Sequence, residues 1–526
     1  MVKLKRLKLP IGIWECFSEL STILKSCGNI ENVNCIASSI DVLAHLYGHQ
    51  LRSLTVDERG LYFQHVLKIP SLFQNLEHLE ISHCRLILSS EFLEDLAINC
   101  QKLRRLYLRG CKYSSLRGKE RKITVSLLKT LAISIEDVDT IWLAHIATRY
   151  QDLQELQLTA TSNPQSFSVS EWQTGFQAIA DRCTKLEKLY CHSNSKKGAF
   201  HPTKTFFDKF SQTTNGGLKS LTIVAHTAEF RDKDLLSVAM CAGKTMTDLE
   251  LDDCPFISIK GFNDALSLCS TLTELTLSTK EFTPSVLLKH CPNIKSFTLK
   301  DATILQETYN SGRYQLIQLT NICLYGVEKA NVFINAISQY TPKLRHISIT
   351  EQNTFDPSEY RLSLPNSTIH YLDIEWIVWE RVNATDPFYF KLSQTPIPGE
   401  QPTVHWCLRS GKERGIFYMV DPDTVPSDVL YFDISVRMLY HLDFRPIQPP
   451  RANGPGPNSK SWPGKPIRRS EVANLTVTEL LNRLPAPIPL QRTLQLPNEL
   501  FDLYTASISS NRPTENISQN SSESSN

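Results

Sequence analysis

Residues 99–111 read Asn-Cys-Gln-Lys-Leu-Arg-Arg-Leu-Tyr-Leu-Arg-Gly-Cys, and the order of the apolar residues in this stretch decides the fold. Leu103, Leu106 and Leu108 form the pattern Leu-x-x-Leu-x-Leu. Apolar residues that alternate with polar ones are typical of a short strand with one buried face. We therefore predict a short strand here, with its leucines directed toward a core.

The same pattern recurs along the chain as far as Ile374. Clean copies are Leu76/Leu79/Ile81, Leu103/Leu106/Leu108, Leu153/Leu156/Leu158, Leu218/Leu221/Ile223, Leu272/Leu275/Leu277 and Leu344/Ile347/Ile349. Degenerate copies are Leu4/Leu7/Leu9, Ile30/Val33/Cys35, Leu51/Leu54/Val56, Leu128/Leu131/Ile133, Leu186/Leu189/Cys191, Met246/Leu249/Leu251, Ile294/Phe297/Leu299, Leu319/Ile322/Leu324 and Ile369/Leu372/Ile374. These copies make about 15 repeats with a mean period of about 26 residues, which is in the range of leucine-rich repeats.

A single repeat of this length cannot bury its own apolar face, so neighbouring repeats must stack. The predicted fold is α/β: a leucine-rich-repeat solenoid, shaped as a curved horseshoe with a parallel sheet on its concave side, followed by an irregular C-terminal extension. Apolar residues at helical spacing predict helices in the second half of several repeats. The predicted helices are Glu91 to Cys100, Phe176 to Cys183, Asp234 to Ala242, Gly261 to Cys269 and Ser285 to Cys291. Pro284 suits the first turn of the last of these helices.

The cysteines follow the same rhythm. Cys27, Cys100, Cys183, Cys269 and Cys291 each precede the first apolar residue of the next triplet by three positions. Cys84, Cys111 and Cys254 each follow the last residue of a triplet by three positions. A free cysteine behaves as a small apolar residue with a weak donor, which suits both places. We expect the 14 cysteines to be reduced.

Composition argues against several classes of protein. A formal net charge of +2 gives no global attraction to nucleic acid or to a membrane surface, and no apolar run of 18 residues occurs. Residues 1–14 lack the apolar core of a signal peptide. Together with reduced cysteines, this predicts an intracellular protein, cytoplasmic or nuclear. We expect no cofactor.

The domain organisation follows from where the repeats stop. We predict a solenoid over residues 1–375, a C-terminal capping region over 376–445, a flexible linker over 446–470, a short apolar segment over 471–506 and a disordered tail over 507–526. The capping region has strand-like runs at Val404 to Leu408, Gly415 to Val420 and Val429 to Ile434. Because no earlier repeat covers Leu4, Leu7, Leu9 and Ile11, we expect an exposed apolar surface within residues 1–50.

Motifs for catalysis or metal binding are weak. No phosphate-binding glycine loop, nucleophile elbow or Cys-x-x-Cys pair occurs. The pairs His83-Cys84 and His290-Cys291 have no partner cluster, and His45 and His49, four residues apart, are better explained as the surface of a helix. Cys407 has no visible base nearby. The sequence predicts neither an enzyme nor a metal site.

Residues between the buried positions of each strand must point away from the core. On this ground we predict a partner-binding surface on the concave face, with a basic and aromatic half and an acidic half. Its residues are Arg105, Tyr107, Arg109, Lys188, Tyr190, His192, Asp248, Glu250, Asp252 and Glu274. The alternative is that these are simply solvated strand positions. Arg and Tyr are enriched at binding hot spots, which favours a binding role for the basic half.

Four stretches resemble the cysteine-containing leucine-rich repeats of F-box and leucine-rich-repeat proteins. They are residues 99–111, Arg182-Cys-Thr-Lys-Leu-Glu-Lys-Leu-Tyr190, Leu249-Glu-Leu-Asp-Asp-Cys-Pro255 and His290-Cys-Pro-Asn-Ile-Lys-Ser-Phe-Thr-Leu299. The resemblance covers residues 1–375. It implies a subunit of an SCF-type ubiquitin ligase, in which the repeats capture a protein substrate for proteasomal degradation and an F-box binds the SCF core subunits. We find no F-box before the first repeat. Leu496 to Leu500 resembles the opening of one, but only 26 residues follow it.

Three functions are therefore in competition. The first is a non-enzymatic substrate receptor of the SCF kind. The second is a leucine-rich-repeat scaffold or adaptor unconnected to ubiquitin. The third is an enzyme or a GTPase-activating protein, for which the sequence offers only a general likeness of architecture.

Overall fold

The molecule is described from a computed structural model. The structure describes residues 5–8, 22, 24–25, 27–57, 63–82, 87–88, 90–113, 126–135, 141–160, 169–193, 201–213, 217–225, 230–254, 256–306, 316, 318–351, 361–377, 388–395, 400–409, 417–425, 431–439 and 442–447. The predicted apolar segment and tail, and the predicted linker beyond residue 447, lie outside the described residues.

Strands and helices alternate along most of the chain. The strands are β1 (Arg6–Lys8), β2 (Asn32–Cys35), β3 (Ser53–Asp57), β4 (His78–Ser82), β5 (Ile87–Leu88), β6 (Arg105–Tyr113), β7 (Thr130–Ile135), β8 (Glu155–Ala160), β9 (Lys188–Ser193), β10 (Ser220–Ala225), β11 (Asp248–Asp252), β12 (Glu274–Ser278), β13 (Glu281–Phe282), β14 (Ser296–Lys300), β15 (Thr303–Ile304), β16 (Asn321–Tyr325), β17 (His346–Glu351), β18 (Arg361–Ile369), β19 (Tyr371–Ile377), β20 (Phe388–Gln394), β21 (Thr403–Arg409), β22 (Phe417–Val420), β23 (Tyr431–Leu439) and β24 (Leu442–Ile447). The helices are α1 (Ile40–Tyr47), α2 (Phe63–Leu67), α3 (Ile69–Leu72), α4 (Ser90–Asn99), α5 (Ile141–Arg149), α6 (Val169–Arg182), α7 (Lys204–Thr213), α8 (Asp232–Ala242), α9 (Ile259–Leu266), α10 (Pro284–His290) and α11 (Ala330–Ser338).

One long sheet runs through the molecule and contains 17 strands in the described part of the chain. Its neighbours follow chain order and pair in parallel, as in β3–β4, β4–β6 and β8–β9. The register aligns the triplets, so that Leu79 pairs with Leu106 and Leu156 pairs with Leu189. Parallel strands joined by helices on one side form a leucine-rich-repeat solenoid, and the predicted fold class is confirmed.

The triplets build a continuous core. From Ile30/Val33/Cys35 to Ile369/Leu372/Ile374, all three residues of every triplet are buried. Aromatic residues fill the space between sheet and helices toward the C-terminal end, where the Phe297 ring stacks on Phe333 at 5.4 Å between centroids. In the first triplet, Leu7 is half-buried and packs against this core. The other residues of the predicted apolar surface at the start, Leu4, Leu9 and Ile11, lie outside the described residues.

Backbone hydrogen bonds fix the step from one repeat to the next. The carbonyl of the residue before most strands of the solenoid sheet accepts two N–H groups of the following repeat. The Glu31 carbonyl accepts from the amides of Arg52 at 2.8 Å and Ser53 at 3.0 Å, and the Arg52 carbonyl accepts from Glu77 and His78 at 2.8 and 3.0 Å. Because buried backbone groups must be paired, this ladder holds the strands in one register.

The predicted helices are present as α4, α6, α8, α9 and α10, and Pro284 occupies the first turn of α10 as expected. Neighbouring helices are also joined at their starts. The Asp232 carboxylate in α8 accepts hydrogen bonds from the amide of Ser258 at 2.8 Å and from its hydroxyl at 2.6 Å. The Ser258 hydroxyl in turn accepts from the amide of Gly261 at 3.0 Å and caps α9.

The cysteines at the predicted places are free thiols. Cys100, Cys183, Cys254, Cys269 and Cys291 are buried, whereas Cys27 is only half-buried. The Cys100 thiol donates to the Phe73 carbonyl of the preceding repeat at 3.4 Å. Burial raises the pKa of the Cys100 and Cys183 thiols to about 12, which keeps them protonated and unreactive. Of the remaining predicted positions, Cys84 and the side chain of Cys111 lie outside the described residues.

The C-terminal extension is more regular than the sequence predicted. Strands β18, β23, β20, β21 and β22 form a second sheet in that order. The three strand-like runs of the sequence correspond to β21, β22 and β23. Strand β24, which follows β23 in the chain, belongs to the solenoid sheet and lies beside β19, with Leu372 paired to Leu442 and Ile374 paired to Phe444.

The two sheets meet at α11. The Asn335 side chain donates to the Arg361 carbonyl at 2.7 Å and accepts from the Ser363 amide at 2.7 Å, as a neighbouring strand would. It thereby occupies polar groups on one edge of β18, an edge that would otherwise offer them to another strand. Among the helices that the structure describes, none is long and apolar enough to cross a membrane.

Candidate functional site

The candidate site is the concave face, by which we mean the face of the solenoid sheet opposite the helices. In β6, Leu106 and Leu108 are buried in the core, so Arg105, Tyr107 and Arg109 lie on this face. The two arginines are exposed and Tyr107 is half-buried. The same alternation places Lys188, Tyr190 and His192 on the concave face of β9.

The parallel register arranges these residues in columns that run across the strands. The first column contains, in spatial order, His78, Arg105, Thr130, Glu155, Lys188, Ser220, Asp248 and Glu274. Arg105 and Lys188 are therefore three strand steps apart, about 14 Å at about 4.8 Å per step. The residues between them in the three columns are Thr130, Ala132 and Ser134, and Glu155, Gln157 and Thr159, which are small or polar.

Tyr107 is the centre of the basic half. Its ring centroid lies 5.3 Å from that of His78, and the Arg109 guanidinium carbon lies 5.8 Å from the same ring. Burial, and then the nearby Arg105 charge, lower the pKa of His78, so His78 is neutral at pH 7. Burial, and then the charge of Glu155, raise the pKa of Tyr107, so its hydroxyl stays protonated. Around Tyr107 the positive charge therefore comes from Arg105 and Arg109.

A second pair of rings lies on β9. The Tyr190 hydroxyl is 3.0 Å from Nδ1 of His192, and the two rings meet edge to face with 6.1 Å between centroids. Burial, and then the charge of Glu250, raise the pKa of Tyr190. A ring pair held by its own hydrogen bond loses little side-chain freedom when a partner binds, which favours a binding role.

The acidic half lies on β11 and β12. Thr247 donates to Asp248 at 2.7 Å, and Thr222 donates to Glu250 at 3.2 Å. The Lys300 ammonium on β14 donates to Asp252 at 2.5 Å. Glu274 on β12 is exposed, and within the described residues it forms no ion pair. The acidic half therefore keeps most of its charge.

Charged residues outside the predicted set also lie on this face, among them Glu80 and Lys300. Glu80 on β4 lies 3.9 Å from Arg109. Lys300 forms the ion pair with Asp252 just described. Both occupy outward positions of their triplets, Glu80 between Leu79 and Ile81 and Lys300 directly after Leu299. The alternation of buried and outward positions within each triplet is the sequence signal that identifies both residues.

The other sequence candidates show no shared geometry. His290 lies 3.2 Å from the Asn263 side chain, an ordinary contact between α10 and α9. In the described residues no group of three or more potential metal ligands comes together. His83, Cys84 and the side chain of Cys407 lie outside the described residues.

Comparison with known proteins adds little to this geometry. No protein-family model matches the chain, and no curated protein matches it. Among solved structures, the chain is similar to TLR13 in its complex with ssRNA13, with 14% identity, a TM-score of 0.40 and coverage of 71% of this chain and 54% of that one. It is also similar to a structure of the yeast Rad7 and Elc1 complex (12%, 0.30, 64% and 90%) and to one of the Drosophila Toll–Spatzle complex (11%, 0.33, 68% and 59%). The chain thus spans about half of the TLR13 chain that it matches.

Proposed function

We propose that this chain is a non-enzymatic protein-interaction module that holds a protein partner on its concave face. The observation that carries the proposal is a pair of ring clusters on one parallel sheet, with the exposed Arg109 over the Tyr107 ring and Tyr190 hydrogen-bonded to His192. Long cationic side chains and tyrosines offer apolar stems, ring faces and charge together, and such residues are enriched at hot spots. A site built on strands is also held more firmly than one built on loops.

The finer part of the proposal is that the module is the substrate-recognition subunit of an SCF-type ubiquitin ligase. It is supported by the resemblance of residues 99–111 and the related stretches to the cysteine-containing repeats of F-box proteins. The alternative is a leucine-rich-repeat scaffold or adaptor unconnected to ubiquitin. An intracellular location, cytoplasmic or nuclear, belongs to the same proposal and is supported by the buried thiols, since free cysteines persist in reducing compartments.

The test of the binding site is a pair of charge reversals. Arg105→Glu with Arg109→Glu should weaken the binding of a purified partner by about 1 kcal/mol or more, a typical order for interface anchors. The control is Lys260→Glu, which changes an exposed lysine on α9, on the helical side of the solenoid. Partners are identified by affinity purification of the tagged full chain, and the affinity of a purified partner for each variant is then measured by calorimetry.

The outcomes distinguish the ligase hypothesis from the scaffold hypothesis and test the position of the binding site. If both variants bind the partner as the parent does, the concave basic site is the wrong surface. Co-purification of SCF core subunits in stoichiometric amounts would support the ligase reading. Their absence, with partner binding still sensitive to the Arg105 and Arg109 reversal, would favour the scaffold.

A further inference from the structure

The part of the concave face from β4 to β14 carries opposite net charge at its two ends. On β4 to β9 the charged concave residues are Arg105, Arg109, Lys188, Glu80 and Glu155, which sum to +1 (three positive, two negative). On β11 to β14 they are Asp248, Glu250, Asp252, Glu274 and Lys300, which sum to −3 (four negative, one positive). The net charges of the two parts differ by four, so a partner with charges of both signs would bind more favourably in one orientation than in the other.

Some of these charges are already neutralised and others are not. Arg109 is near Glu80, and Lys300 is bonded to Asp252. Arg105 and Lys188 are exposed, and among the described residues neither of them forms an ion pair. Glu274 is equally exposed at the other end. The charges available to a partner thus lie mainly in the first column, positive at β6 and β9 with the Glu155 carboxylate of β8 between them, and negative at β11 and β12.

The dimensions of the face limit what can bind along it. Arg105 and Glu274 are six strand steps apart in the first column, about 29 Å at about 4.8 Å per step. The face is three columns wide, from Arg105 to Arg109 in β6, which is about 13 Å at about 3.3 Å per residue. An α-helix with its side chains is about 10–12 Å across, and about 20 helical residues span 29 Å. One helix therefore fits the face when it lies across the strands.

We propose that the concave face takes one helical segment of a partner protein with split charge, its acidic half over β6 to β9 and its basic half over β11 and β12. This inference rests on the proposed function of the concave face and adds the chemistry of the partner. The acidic end of the face has the larger net charge, so it contributes more to the orientation of the bound helix. The partner segment is then one in which lysines or arginines occupy one half of the helix and carboxylates the other.

The probe is an alanine-based helical peptide of 20 residues with three Glu in its N-terminal half and three Lys in its C-terminal half. The matched control peptide has the same composition with Glu and Lys alternating. Binding to the full chain is measured by fluorescence anisotropy at low and high salt. The split peptide should bind about fivefold or more tightly than the alternating one, since each exposed ion pair is worth up to about fivefold in affinity. High salt should remove most of the difference.

Variants of the protein test the direction of the face. Asp248→Lys with Glu274→Lys leaves both halves at +1, and Arg105→Glu with Lys188→Glu leaves both at −3, so each pair of reversals should abolish the preference for the split peptide. Combining all four reversals restores a face of split charge with the opposite direction. A free peptide can turn round, so the four-fold variant should recover the preference. A variant that had merely lost its fold would not.

The proposal is overturned if the parent protein binds the two peptides equally, or if the four-fold variant stays as poor as the variants with one end reversed. Equal binding of the peptides, with partner binding still lost in the Arg105 and Arg109 reversal described above, would reject the split-charge segment and leave the concave site in place. Loss of both effects would reject the concave site itself.

Discussion

Arg149 at the end of α5 forms a buried ion pair with Glu94 in α4, and this pair gives a quantitative test of the packing. Arg149 Nη2 lies 2.6 Å from Glu94 Oε1, and the two side chains are 5% and 9% exposed. Strands β6 and β7 lie between these two helices in the chain, so the pair joins helices that are not consecutive in the described strand order. The same Arg149 accepts, through its carbonyl, the amide of Ser126 at 3.1 Å. Arg149 thus ties three successive repeats together.

The magnitude follows from what each change leaves behind. At 2.6 Å the attraction is about 6 kcal/mol for an effective dielectric constant of about 20, and most of it offsets the cost of removing both charges from water. Arg149→Met removes the Arg149 guanidinium from the buried Glu94 carboxylate. We therefore expect the free energy of unfolding to fall by about 3–5 kcal/mol. Arg149→Met combined with Glu94→Met removes both charges and should recover most of that loss.

The assay is urea unfolding followed by circular dichroism, with Arg182→Met as the control. Arg182 is the last residue of α6, as Arg149 is of α5, but it is exposed. Its substitution should change the free energy of unfolding by no more than about 0.5 kcal/mol. If Arg149→Met is as mild as Arg182→Met, the ion pair is not buried as described. If the double variant is less stable than Arg149→Met alone, the reasoning from an uncompensated charge is wrong.

Three further predictions concern single residues. Burial, followed by the Arg149 charge, lowers the pKa of His145 to about 4, so the neutral form stabilises the fold above pH 6.5 and that contribution is lost as the pH falls toward 4. His145→Gln should therefore remove about 2 kcal/mol of the stability difference between pH 7.5 and pH 5, and an unchanged pH dependence in urea unfolding would contradict it. Gly217 has a φ of 70°, so Gly217→Ala should lower the free energy of unfolding by about 1 kcal/mol, and Gly28→Ala, where space is open, should not. In native protein at pH 8, iodoacetamide should modify the half-buried Cys323 well before the buried Cys183, as read by peptide mass spectrometry; equal rates would show that Cys183 is accessible.

The repeat fold was predictable because it depends on local pattern alone. Leu103, Leu106 and Leu108 reveal their strand without any neighbour, and the period then fixes how strands stack. The outward positions of the candidate site follow from the same alternation, which is why Arg105, Tyr107 and Arg109 could be placed on one face. What the sequence could not show is which charges meet across strands. Lys300 and Asp252 are 48 residues apart in sequence, and only the register and the reach of a lysine side chain bring them to 2.5 Å.

The C-terminal region shows a deeper limit. There β18 and β23 pair in parallel on the side of the solenoid where earlier repeats have helices, and each is followed by a strand of the solenoid sheet, β19 and β24. The parallel pairing of the solenoid sheet thus continues through β19 and β24, while the elements packed behind it change from helices to strands. Leu362 and Leu364 are buried two residues apart, in the alternation of a strand, whereas α11 buries Phe333, Ile334 and Ile337 at helical spacing. Both patterns supply apolar side chains to the same core, so a triplet search finds Ile369/Leu372/Ile374 and stops. It misses β24 because Leu442 follows its partner Leu372 after 70 residues (442 − 372) instead of about 26. The intervening residues include β20, β21 and β22, which widen the second sheet. The longer spacing between β19 and β24 therefore reflects an outer layer built of strands, where earlier repeats place one helix.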